Sequence, residues 1–81
     1  MSTSEILVEI SFRVQKAITE AGRSKKSVSD ETGIPYPTLN RKVAGKGEFS
    51  FLELFKIAKA LGVSPAAFTP APFRIQRKES A

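Results

Sequence analysis

Along the first twenty-two positions apolar side chains return every three or four residues: Leu7, Ile10, Val14, Ala17 and Ala21, with Ile6 and Ile18 widening the same stripe. That period predicts an amphipathic helix. Ser2-Thr3-Ser4-Glu5 ahead of it fits a capping box, in which Ser2 accepts from the backbone of Glu5 and the Glu5 carboxylate reaches back. Gly22 supplies the left-handed residue that ends such a helix. Val8 and Phe12, four residues apart, fall on a different face. A shorter helix is expected from Lys25 to Thr32, with Ser24 as its cap, Val28 as its inward anchor and small Ser29 beside it. Gly33 is its exit, and Asp30 and Glu31 lie at the C-terminal end, where the helix dipole disfavours acids.

Pro35-Tyr36-Pro37 resembles a loop, but proline in the first turn of a helix gives up only N–H groups that have no partner there. Residues 38–44 then form two turns with Leu39 and Val43 inward, and Gly45 closes them. Lys46-Gly47-Glu48 is a turn, and Ser50-Phe51-Leu52-Glu53 is a second capping box flanked by a Phe49–Leu54 hydrophobic staple. Leu54, Ile57, Ala58 and Leu61 make the next buried stripe, with Leu52 and Phe55 off it and Gly62 as the stop. Ser64-Pro65 opens a last short turn through Phe68, which Thr69-Pro70-Ala71-Pro72 cannot continue. Up to Pro72 no period-two alternation, repeat or low-complexity tract occurs. The fold class expected is all-α, four helices plus a short fifth, organised as one domain over residues 1–69 and a basic tail over 70–81. In that tail Phe73 and Ile75 alternate with Arg74 and Gln76, a pattern compatible with an extended segment docking on one of the off-stripe apolar pairs.

Composition changes the picture by exclusion. A chain of 81 residues has room for one core. It contains no Cys and no His, so thiolate chemistry, sulfur-ligated metal, the commonest general base and the commonest metal ligand are missing, and its eight carboxylates are scattered. No enzyme, metal or cofactor is expected. No apolar run exceeds the three residues of Ile6-Leu7-Val8, so neither a membrane span nor a signal segment is expected, and the chain reads as cytoplasmic. The net charge of +5 and a pI near 9.9 fit a nucleic-acid binder. The excess is localised. Residues 23–47 carry Arg23, Lys25, Lys26, Arg41, Lys42 and Lys46 against Asp30 and Glu31, a net of +4, and residues 74–81 carry a further +2.

The stretch Ser24-Lys25-Lys26-Ser27-Val28-Ser29-Asp30-Glu31-Thr32-Gly33-Ile34, the short helix to Gly45 and then Ile57-Ala58-Lys59-Ala60-Leu61-Gly62-Val63-Ser64-Pro65 together resemble the lambda repressor/Cro-like helix-turn-helix family over roughly residues 6 to 68. The departures from the family pattern are specific. Val28 and Ser29 stand where Leu and Ala are usual, Lys25 where Gln is usual, and Pro37 at a position often used to read bases. Ile18 and Val43 fall where many members carry an Arg–Glu pair, and an apolar pair can replace a buried ion pair without loss of stability.

The resemblance implies a four-to-five-helix bundle whose helix from Tyr36 enters the DNA major groove. With Leu39 and Val43 inward, Tyr36, Pro37, Asn40, Arg41 and Ala44 face out. Arg41 is the candidate for a bidentate guanine contact and Asn40 for adenine or a phosphate; Tyr36 would meet a thymine methyl or a phosphate, and Thr38 a phosphate. Ser24, Lys25 and Lys26 begin the preceding helix, where N–H groups and the dipole favour a phosphate, and Lys42 and Lys46 lie toward the backbone. The expected function is a sequence-specific regulator of transcription, a phage-type repressor or Cro protein, binding a double-stranded operator as a homodimer in a bacterial cytoplasm at the nucleoid. The competing class is a protein-interaction module, an antitoxin or anti-repressor on the same fold. An architectural or single-strand binder would want aromatics among the basic residues, and Tyr36 stands alone.

Overall fold

A computed structural model describes residues 2–70. It contains α1 (Thr3–Glu20), α2 (Lys25–Thr32), α3 (Tyr36–Val43), α4 (Phe51–Leu61) and a 3₁₀ turn, Pro65–Phe68, with no strand among the described residues. The all-α expectation holds. Phe73, Ile75 and the rest of the expected tail beyond Pro70 lie outside the described residues.

The helix ends follow local chemistry. Both capping boxes form: Ser2 accepts from the Glu5 N–H and donates its own N–H to Glu5, and Ser50 and Glu53 do the same at α4. Ser24 caps α2 by accepting from the Ser27 N–H, and Ser64 caps the last turn. Gly33 and Gly62 are left-handed, at φ 79° and 71°, each donating its N–H back to a carbonyl of the preceding turn. A side chain at either would meet no neighbour, so backbone conformation alone calls for glycine.

Each element contributes to one core: Val14 and Ile18 from α1, Val28 from α2, Leu39 and Val43 from α3, Ile57 and Ala58 from α4 and Phe68 from the 3₁₀ turn, with Ile34 and Phe49 from the connections. Ile18 and Val43 are both buried there, so the apolar residues occupy those two positions without an unmet charge. Leu54, Leu61, Ile10 and Ala17 pack around the edge. The α1 stripe is shorter than its periodicity predicts. Ala21 is exposed, because as the C-cap it lies past the last helical turn, where the chain already departs toward α2.

One buried position breaks the apolar pattern. Ser11 lies inside the stripe and donates its hydroxyl to the Lys42 carbonyl at 2.8 Å, tying α1 to the last turn of α3. Ser29 and Thr32 are buried as well and bond within the α2–α3 corner, and no buried side-chain nitrogen or oxygen among the described residues lacks a partner.

Candidate nucleic-acid interface

The corner between α2 and α3 is built from short polar side chains. The Ser29 hydroxyl donates to the Ile34 carbonyl, while Thr32 Oγ1 donates to the Val28 carbonyl at 2.7 Å and accepts from the Ile34 N–H at 3.3 Å. Gly33 reverses the chain, Ile34 enters the core, and Pro35 sets the direction of α3 with its φ of −55°. Leu39 and Val43 then fix the rotation of α3 about its own axis. With those two inward, Tyr36, Pro37, Asn40 and Arg41 are solvent-exposed on a continuous surface, and Thr38 is half-buried at its edge.

The basic residues divide into two groups that the sequence alone does not separate. Lys42 is not a free cation. Its ammonium donates to both carboxylate oxygens of Glu53 at 2.8 Å, with side-chain exposures of 15% and 21% for the pair. Lys42 is therefore held by Glu53 and joins α3 to the start of α4. Glu53 holds two elements together, since the same carboxylate caps α4 through the Ser50 N–H. Burial pushes its carboxyl up, but the Lys42 ammonium and the Ser50 N–H outweigh that and hold it below the ordinary carboxylate value.

Arg23 is the second cation with a structural role, and the sequence reading counts it only as charge. Its guanidinium bonds Ser27 Oγ at 3.1 Å, the Ala60 carbonyl at 3.0 Å and Glu31 at 2.7 Å, clamping the α1–α2 corner to the end of α4. The planar five-donor fork suits three acceptors in three directions, which no spacing in the sequence announces. Lys26 pairs with Asp30 at 2.8 Å, but both side chains are well exposed and such a pair is easily exchanged for another anion.

Lys25, Arg41 and Lys46 have no ion-pair partner among the described residues. Lys25 is half-buried beside the α2 cap, Lys46 is exposed just beyond α3, and Ser24 is engaged in capping. The Arg41 side chain folds back over the following turn: a Cβ added at Gly47 would lie 3.4 Å from Arg41 Nε and 3.1 Å from Lys42 Cγ. To extend outward from α3 it must leave that turn.

A helix of two turns set on a short glycine corner, with its inner face buried and its outer face polar, is the helix-turn-helix arrangement. The helix-turn-helix family model matches residues 14–68, more than half of the chain and the whole of α2, α3 and α4. This chain belongs to the helix-turn-helix family. Its class is the Cro/C1 type, a family of DNA-binding regulators of transcription that is typically non-enzymatic. The match begins at Val14 and so leaves most of α1 outside it. A comparison with curated proteins returns no match. Among the described residues no group of His, Cys, Asp or Glu could hold a metal ion, and no helix is long and apolar enough to cross a membrane.

Proposed function

We propose that this helix-turn-helix domain is a sequence-specific regulator of transcription that lays α3 in the major groove of double-stranded DNA, in the manner of a phage-type repressor or Cro protein. The observation that carries the reading is the outer surface of α3. Tyr36, Pro37, Asn40 and Arg41 are exposed together on a helix whose other side is locked into the core, Lys46 follows that helix and Lys25 begins the preceding one, both without an ion-pair partner among the described residues. A base-reading side chain needs a rigid mount, and buried Leu39 and Val43 provide it. Arg41 and Asn40 read base edges; Lys25 and Lys46, with Thr38 and Tyr36, fix register on phosphates, and Lys26 joins them by exchanging Asp30 for a phosphate. Lys42 is left out of this set because Glu53 holds it.

One short helix specifies only a few base pairs, so the active species is a homodimer on paired half-sites. Selection from a random duplex pool tests the proposal. Enrichment of a two-fold-related motif is the expected result, and enrichment of none would overturn it. Three or four neutralised phosphates per subunit give a log–log salt slope of roughly −2.7 to −3.6 per subunit. The interaction-module reading draws on a separate observation, exposed Phe51, Leu52 and Phe55 on α4. Salt-insensitive binding with no base preference would favour it.

A further inference from the structure

Helices α1 and α4 are bridged by a side-chain bond and by the 3₁₀ turn. Their C-terminal ends are joined through the Arg23–Ala60 bond, and the cleft between them is filled there by the 3₁₀ turn, which packs on both helices and buries Phe68. At the N-terminal ends the same cleft is open. It forms a groove of about 560 Å³ lined by Ile6, Leu7 and Ile10 of α1 and by Glu48, Phe49, Phe51 and Leu54 from the turn before α4 and its start. Ile6 and Leu7 are only half-buried as a result, and Phe51 is 80% exposed although it belongs to a helix with an ordinary core face. The chain passes from the filled half toward residues 71–81 through Pro70, which is itself buried, so it leaves the described part against the protein.

We propose that residues 71–81 of the same chain occupy this groove, with Phe73 and Ile75 as the seated side chains. Three observations make this segment the occupant. Phe73 and Ile75 are the two large apolar residues beyond Pro70, and alternation places both on one side of an extended segment. They lie three and five residues beyond Pro70, within roughly 10 and 17 Å of it in extended chain, and the 3₁₀ turn that precedes Pro70 packs on α1, whose Ile10 lines the groove. Charge also matches: the segment carries Arg74, Arg77 and Lys78, and Glu48 at the groove has no ion-pair partner among the described residues. The groove, and not the Val8–Phe12 or Leu52–Phe55 pair, is then the seat of the tail. This inference stands whether or not α3 reads DNA.

Isotope-filtered nuclear magnetic resonance on the full chain is the test. Cross-peaks are expected from the Phe73 ring and the Ile75 methyls to the methyls of Ile6, Ile10 and Leu54, within single labelled chains. The double substitution Phe73→Ser, Ile75→Ser should shift those groove methyls while leaving those of Leu39 and Val43 in place. Cross-peaks seen only between differently labelled chains would mean that a second copy's segment fills the groove, and would overturn the proposal. Cross-peaks to Val8 and Phe12, or groove methyls indifferent to the double substitution, would overturn it equally.

Discussion

Replacing Lys42 separates a structural cation from a DNA-contacting one. In Lys42→Met the stem is retained in size, while the ammonium that donates to both Glu53 oxygens at 2.8 Å is lost. Glu53 still accepts the Ser50 N–H, so the α4 cap persists, but its part-buried carboxylate loses the one cation it meets among the described residues. Fully exposed pairs contribute at most about 1 kcal/mol and breaking a fully buried one costs about 3–5. With both side chains roughly one-fifth exposed or less, the loss should fall between, at about 1–2 kcal/mol, which for a domain this small lowers Tm by roughly 4–16 °C. The penalty has a definite pH dependence. Glu53 titrates below its ordinary value of 4.5 in the folded protein, so the pair's stabilisation is complete above that value and is lost as pH falls through the lower, folded one. Urea unfolding of Lys42→Met, Glu53→Gln and the double variant at pH 7 and at pH 3 measures this. A coupling energy is expected at pH 7 that shrinks at pH 3. In parallel, Lys42→Met should leave the salt slope of duplex binding unchanged, whereas Lys46→Ala should reduce it by about 0.9. A Lys42 variant as stable as the parent, or one that loses as much salt slope as the Lys46 variant, would refute the assignment.

Arg23→Met should cost about 1–3 kcal/mol in urea unfolding, because the Ala60 carbonyl and Glu31 both lose a charged donor, and Arg23→Lys should recover only part of it since an ammonium cannot meet three divergent acceptors. Gly33→Ala should destabilise by about 1–2 kcal/mol through backbone strain alone, with φ at 79° and nothing within 4 Å of the added methyl; an unchanged unfolding midpoint would contradict the left-handed corner. Arg41→Ala should relax base preference at one operator position and cost about 1–3 kcal/mol on the selected site, while Lys25→Ala weakens all duplexes alike, as fluorescence anisotropy on selected and scrambled duplexes would show. If both variants lose affinity equally on the two duplexes, the division into base-reading and phosphate-contacting residues is wrong.

What the chain determines on its own is everything governed by neighbours three or four residues apart. The Ser2–Glu5 and Ser50–Glu53 boxes, the left-handed exits at Gly33 and Gly62, the proline-started α3 and the inward turn of Leu39 and Val43 all depend on contacts within one helical turn, and all are visible in the order of residues. The outward surface of α3 is legible for the same reason, because fixing the inner pair fixes the rest of a rigid helix. What the tertiary structure alone decides is which charges and hydroxyls are left over for function. Ser11 meets a carbonyl 31 positions away, Arg23 one 37 positions away, and Lys42 a carboxylate 11 away on the far side of a turn. In the sequence nothing marks Arg23 and Lys42 as structural cations and Lys25 and Lys46 as ones left over. They become different only when helices from distant parts of the chain cross, because a side-chain partner is chosen by distance in space, and helical periodicity carries no information about which helix will pass alongside.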